Sequence, residues 1–198
     1  MTFHPSIDYA REIHRSTRRL PVDDGRPFAY TAENRARLEE IAKRYPPECR
    51  RSAILPALHL AQEQHGHLTV NALKHVAEVI GCTPADAEDV ASYYTLFYTQ
   101  PVGKYVLQVC RTLPCALRGA ERVTETLSAA LGVPAGGTDA SGTFTLLEVE
   151  CLGACDRAPV VMVNDAWQER LGPEEAMKFV ESLRARGESA VTGCHWKK

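Results

Sequence analysis

The chain has 198 residues, of which 44% are hydrophobic and 24% are charged, as in ordinary folded domains. Its 23 Lys and Arg residues are nearly balanced by 25 Asp and Glu residues, so it lacks the basic excess that attracts nucleic acids and anionic membranes. No apolar run approaches the roughly 20 residues that a membrane-spanning helix needs, and no apolar signal segment follows Met1, so we expect a cytoplasmic protein without direct membrane insertion.

Residues 1–30 are predicted to form a polar N-terminal arm. Organellar transit peptides are poor in acidic residues, whereas here five arginines are nearly cancelled by Asp8, Glu12, Asp23 and Asp24. The arm ends in the turn-rich stretch PVDDGRP. We therefore expect it to be disordered in isolation or to become ordered only on a partner.

Residues 31–98 carry the signals of four short helices. The first helix shows a stripe of period 3.6 and ends at Pro46-Pro47; the stripe consists of Leu38, Ile41, Ala42 and Tyr45. Residues 52–66 have an irregular start at Pro56 and a terminal glycine, and residues 69–81 lie between an N-cap threonine and a glycine. The fourth helix starts at Thr83 as N-cap, followed by proline. The sequence therefore predicts a helical bundle.

Residues 99–188 change to a pattern of strands and helices. Strands are predicted at 105–109, 144–150 and 159–165, with a further partner at 167–171, and helices at 115–131 and 173–187. Residues 132–142 are turn-rich and form the return connection, so the first two strands should be parallel. The predicted fold class is α+β: a helical bundle, then a small mixed sheet covered by two helices, then a tail at 189–198.

Four of the seven cysteines are placed to meet. Cys110 and Cys115 fall where the first strand gives way to its helix, and Cys151 and Cys155 follow the second strand. If the two strands are parallel neighbours, both pairs emerge at the carboxyl edge of the sheet, where open α/β sheets place their sites. An odd cysteine count without a secretory signal argues against a disulfide framework.

Three interpretations of these cysteines remain open on spacing alone. A 2Fe-2S cluster suits C-x4-C followed by C-x3-C, because two irons spread their ligands widely. Structural zinc usually has tighter pairs, and buried apolar cysteines are the third alternative. Two features favour a cluster: Cys115 starts a predicted helix, whose free N–H groups stabilise thiolates, and Gly153 allows a turn that directs amides at sulfur.

The segments YVLQVCRTLPC and FTLLEVECLGACDRAPVVMVND, together with RYPPECRRSAILPALHLAQEQHGHLT and VASYYTLFYTQPVGKY upstream, carry a family resemblance. The chain resembles the thioredoxin-like 2Fe-2S subunit of NADH:quinone oxidoreductase, the respiratory complex I, over about residues 35–185. The resemblance implies a helical bundle before a thioredoxin-like domain, and one low-potential 2Fe-2S cluster. It also makes Pro159 a candidate for a cis peptide bond.

Carried over residue by residue, the resemblance implies the cluster ligands Cys110, Cys115, Cys151 and Cys155. It further implies a flavoprotein partner subunit that binds FMN and NADH, within a larger respiratory complex peripheral to the inner membrane. This chain has neither a G-x-G-x-x-G fingerprint nor a P-loop, so it is not expected to bind the nucleotide itself.

Two other functions remain compatible with the sequence. One is the equivalent diaphorase subunit of an NAD-linked hydrogenase or formate dehydrogenase. The other is a zinc-stabilised interaction module without a redox role. Cys49 and Cys82 are expected to be packing or surface thiols, and the Cys194-His195 pair in the tail is too small to form a site.

Overall fold

The computed structural model of the chain describes residues 20–191. The chain forms two compact units, one ending at Pro101 and one beginning at Val102. Within residues 20–191, no helix combines the length and the apolar composition needed to cross a membrane.

The first unit contains four α-helices and a 3-10 segment at Pro47–Ala53. The α-helices are α1 (Ala32–Ala42), α2 (Ile54–His65), α3 (Val70–Ile80) and α4 (Pro84–Tyr93). The hydroxyls of Thr31, Thr69 and Thr83 cap α1, α3 and α4 by accepting a bond from a first-turn N–H. The four predicted helices are therefore present. The second was expected to start irregularly because of Pro56, but Pro56 lies in the first turn of α2, and the irregular segment ends before it at Ala53.

The helices of this unit enclose a continuous apolar core. Its largest fully buried side chains are Leu38, Leu58, Leu68, Val76 and Ile80. Left-handed glycines end α2 and α3, at Gly66 with φ 87° and at Gly81 with φ 82°. The chain can therefore reverse direction sharply after each helix and return its apolar face to the same core.

The expected disorder of the N-terminal arm is wrong for residues 20–30. The Val22 N–H donates to the Thr99 carbonyl at 3.2 Å, and the Val70 N–H donates to the Val22 carbonyl at 3.0 Å. Tyr30 donates its hydroxyl to the Ala57 carbonyl at 2.7 Å, and it packs with Phe28 against the helical core. These two aromatic side chains supply burial that the charge and turn residues of the arm do not indicate. Residues 1–19 lie outside the described part of the chain.

The second unit is built on a five-stranded mixed sheet in the order β2-β3-β1-β4-β5. The strands are β1 (Tyr105–Cys110), β2 (Gly137–Thr138), β3 (Phe144–Val149), β4 (Val161–Val163) and β5 (Ala166–Gln168). β1 and β3 are parallel, as predicted, and the other pairings are antiparallel. The prediction missed β2, because two residues within a turn-rich connection carry no alternating pattern.

The predicted single helix at 115–131 is wrong. Gly119 adopts a left-handed conformation with φ 89°, which divides the segment into α5 (Leu113–Leu117) and α6 (Ala120–Leu131). Cys115 consequently lies inside a one-turn helix and not at the start of a long one. The last α-helix, α7 (Pro173–Arg186), matches its prediction to within one residue.

Strand β1 forms the centre of the second core, since all six of its residues are buried. Leu107 and Val109 have no exposed surface, and the same core contains Val123 and Leu127 of α6 and Leu183 of α7. A rigid central strand therefore ends at Cys110, the first residue of the predicted site.

Truncation of this core should destabilise the second unit. Leu107→Ala removes a side chain with 0% exposure, and we expect a loss of about 3 kcal/mol in the free energy of unfolding, from lost burial and a cavity. Leu117→Ala is the matched control, because Leu117 is 77% exposed and should change stability by less than about 0.5 kcal/mol. Denaturant unfolding followed by circular dichroism measures both, and equal losses would contradict the assigned core.

Candidate metal centre

The register of β1 and β3 brings the two cysteine pairs to one edge of the sheet. Cys110 is the last residue of β1 and lies opposite Val149, the last residue of β3. Cys151 follows Val149 by two residues, and Cys155 begins a 3-10 turn that leads towards β4. Cys115 lies in the one-turn helix directly after β1. The parallel pairing therefore has the consequence that the sequence predicted, with both pairs at the carboxyl ends of neighbouring strands.

The four thiols form two pairs. The Cys151 and Cys155 sulfur atoms are 3.6 Å apart, and Cys110 and Cys115 lie close enough for each to act on the ionisation of the other. The pairs also interact electrostatically, because Cys155 acts on the ionisation of Cys115 and Cys110 acts on that of Cys155. All four sulfur atoms therefore belong to one local cluster, which we call the thiol cluster.

Among the residues that the structure describes, no group of three or more His, Cys, Asp or Glu side chains is arranged to enclose a metal ion. The thiol cluster instead consists of an inner and an outer pair. Cys110 and Cys115 are each 2% exposed, whereas Cys151 and Cys155 are exposed. This contrast follows from their positions, since the first pair borders the central strand and the second lies in a surface loop.

Backbone N–H groups act on three of the four sulfur atoms. Gly153 donates to the Cys151 sulfur at 3.4 Å, and Val160 donates to Cys115. Cys110 accepts from the N–H groups of Leu152 and Thr112. Donors of this kind stabilise sulfur in its anionic form, which is the form that binds metals. The loop after β3 thus supplies donors to both pairs.

The surroundings move the pKa values of the thiols in different directions. Burial raises the pKa of Cys115 to about 11, and the neighbouring Cys110 adds to the rise. Burial also acts upward on Cys110, but hydrogen bonds from Thr112 and the Leu152 N–H outweigh it and hold its pKa below the ordinary value. The hydrogen bond with Cys151 raises the pKa of Cys155. The two inner thiols therefore do not ionise alike, and Cys110 is the one that its neighbours favour as a thiolate.

Thr112 is a contact of the site that the sequence analysis did not identify. Its hydroxyl oxygen lies 3.1 Å from the Cys110 sulfur. The signal was present in the sequence, because Thr112 stands two residues after a cysteine at the N-cap position of a helix. A threonine there is normally taken for a cap and given no other role.

The remaining features singled out in the sequence lie elsewhere or outside the described residues. Cys49 is exposed in the 3-10 segment of the helical unit, and Cys82 is half-buried after α3. Burial raises the pKa of Cys82, as expected for a packing thiol. Cys194 and His195 lie outside the described part of the chain. The Ala158–Pro159 peptide bond is cis, the geometry for which Pro159 was a candidate.

Comparisons with known proteins show which family the chain resembles over most of its length. The model of the family described as thioredoxin-like [2Fe-2S] ferredoxin matches residues 38–184. In Rickettsia bellii, the NADH-quinone oxidoreductase subunit designated E is 44% identical over 158 residues, which cover 79% of this chain and 95% of the relative. The Rhizobium meliloti subunit designated E 2 is 43% identical over 76% of this chain and 89% of its own length.

Two further matches are to proteins longer than this chain. Mitochondrial NADH dehydrogenase [ubiquinone] flavoprotein 2 of Dictyostelium discoideum is 40% identical over 80% of this chain, which spans 64% of that protein. The crystal structure of an NAD+-reducing [NiFe]-hydrogenase superposes with a TM-score of 0.58 and 21% identity over 66% of this chain, but over only 23% of its own. At that identity the superposition supports the fold alone.

The turn at Gly153 is open to a direct test. Its φ of 78° is left-handed, and a Cβ added there would meet nothing within 4 Å, so substitution costs backbone strain without a clash. Gly153→Ala should lower the free energy of unfolding by about 1–2 kcal/mol. Gly153→Asn should lose less, because asparagine tolerates this conformation. Thermal unfolding compares the two variants, and an alanine variant as stable as the parent would contradict the assigned turn.

Proposed function

The chain belongs to the thioredoxin-like [2Fe-2S] ferredoxin family, and we propose that it is the electron-transfer subunit of an NADH:quinone oxidoreductase, with its 2Fe-2S cluster bound by Cys110, Cys115, Cys151 and Cys155. The observation that carries the ligand assignment is the thiol cluster itself, in which two distant parts of the sequence bring four sulfur atoms to one sheet edge. The relatives named as subunits of NADH-quinone oxidoreductase, which match over most of their own length, support the assignment to this enzyme.

The chemistry of the donor set fits such a cluster. Four thiolates are the usual ligands of a 2Fe-2S centre, which when bound supplies a one-electron couple of low potential. In this proposal Cys110 and Cys115 hold the buried side, and Cys151 and Cys155 hold the side that faces solvent. The N–H groups of Leu152, Gly153 and Val160 balance negative charge on the sulfur atoms.

The partner follows from the electron count. NADH gives up a hydride, which carries two electrons, whereas a 2Fe-2S centre accepts one, so a flavin must stand between them. We propose that a flavoprotein subunit holds FMN and NADH, and that this chain lies in the cytoplasm, peripheral to the membrane through the assembled complex. Tyr93, Tyr94 and Leu96 are exposed by 69%, 38% and 38%, and they offer an apolar surface for a partner subunit.

The alternatives make different predictions for the purified protein. A diaphorase subunit of an NAD-linked hydrogenase would carry the same cluster, so only the identity of the co-purified subunits separates it from the proposed function. A zinc-stabilised module would be colourless and free of iron and sulfide. The visible absorption spectrum, with iron and sulfide analysis, is therefore the first experiment.

Replacement of the proposed ligands should remove the cluster. Serine at Cys110, Cys115, Cys151 or Cys155, one at a time, should reduce bound iron strongly, because a hydroxyl is a poorer ligand for iron than a thiolate. Cys49→Ala and Cys82→Ala are the matched controls and should retain two irons per chain, as expected of a 2Fe-2S protein. Iron analysis of the purified variants measures this, and cluster loss in either control would overturn the ligand assignment.

The division of labour between subunits gives a second test. The isolated chain should be reduced by dithionite, seen as an electron paramagnetic resonance signal, but should not oxidise NADH. Co-expression with its flavoprotein subunit should restore NADH-dependent reduction of a dye. NADH oxidation by the isolated chain, with no flavoprotein detectable by mass spectrometry, would contradict the assignment of roles.

A further inference from the structure

Thr112 differs from the other N-cap threonines in the hydrogen bond that its side chain makes. Four threonines occupy N-cap positions in the described part of the chain, and the side chains of Thr31, Thr69 and Thr83 each accept a bond from the third residue of their helix. Thr112 makes no such bond at the start of α5. Its hydroxyl instead lies 3.1 Å from the Cys110 sulfur, so the usual capping contact has been replaced by a contact to the thiol cluster.

The direction of this hydrogen bond follows from the chemistry of the ligand. A cysteine that binds metal does so as a thiolate, which carries no hydrogen and can only accept. The Thr112 hydroxyl must then be the donor. Cys110 is 2% exposed, so water competes little for this sulfur, and a donor hydrogen bond has more effect there than at the exposed Cys151.

We propose that Thr112 is a positioning residue that raises the reduction potential of the cluster by donating its hydroxyl hydrogen to the Cys110 sulfur. This inference rests on the proposed function only in that Cys110 must be a cluster ligand; it does not depend on the identity of the partner. One-electron reduction adds one negative charge to the cluster. A donor aimed at a ligand sulfur stabilises the more negative state, so it favours reduction.

The chain offers a closely matched control. The Thr124 hydroxyl, in α6 of the same unit, is buried and has no hydrogen-bond partner. Thr124→Val and Thr112→Val therefore make the same chemical change, in which a methyl group replaces a hydroxyl. Only Thr112→Val removes a bond to a ligand sulfur. Thr112→Ser keeps the hydroxyl and serves as the conservative rescue.

The test is a redox titration of the full-length, cluster-loaded chain, with dithionite as reductant and the paramagnetic resonance signal of the reduced cluster as readout. Thr112→Val should shift the redox equilibrium about tenfold towards the oxidised cluster, which is about 59 mV for a one-electron couple. Thr112→Ser should remain near the parent, and Thr124→Val should not change the potential. A parental potential in Thr112→Val overturns the proposal.

A second hydroxyl-free variant keeps the test decisive. Thr112→Ala is titrated alongside Thr112→Val, and a lowered potential in whichever variant holds a cluster supports the proposal. If neither holds a cluster while Thr112→Ser and Thr124→Val do, the hydroxyl is needed for cluster retention, and the proposal that it tunes the potential is overturned. An unmodified chain without iron would instead contradict the proposed function.

Discussion

The parallel pairing of β1 with β3 is the constraint on which the site depends. Cys110 and Val149 are 39 positions apart in the sequence, yet the register places them side by side at the ends of their strands. A shift of the register along the strands would move Cys151 away from Cys110 and separate the two pairs. The burial of β1 on both faces holds the strand in this register, because a slip would break the packing of its side chains against the core. The packing of the core and the placement of the two cysteine pairs are therefore set by the same contact.

The surroundings of the thiol cluster also stabilise negative charge on its sulfur atoms. Buried thiolates are costly, and the raised pKa of Cys115 reflects this cost. The surrounding backbone supplies donors at Thr112, Leu152 and Val160. Such preorganised N–H groups stabilise anionic sulfur without adding any charged side chain to the core.

Much of this architecture could be predicted because it produces recognisable local patterns in the sequence. Buried strands, capped helices and paired cysteines all follow rules of short range, and the parallel pair followed from the length and composition of its connection. The errors have a common origin in contacts that depend on tertiary structure. The division of the predicted helix at Gly119 depends on how α5 and α6 pack, and strand β2 exists only through its pairing with β3. Phe28 and Tyr30 order the arm only because they can pack against the helical core.

The unequal exposure of the two cysteine pairs reconciles two demands on an electron-transfer site. A redox centre must be shielded from water enough to hold its potential, and it must lie near a surface so that an electron can reach it from another protein. Cys110 and Cys115 border the core because they end and follow the central strand, whereas Cys151 and Cys155 lie in a loop that the left-handed Gly153 turns outward to the surface. A cluster bound between the two pairs would span this boundary, with its potential set from the buried side, where Thr112 acts, and its electrons exchanged through the exposed side.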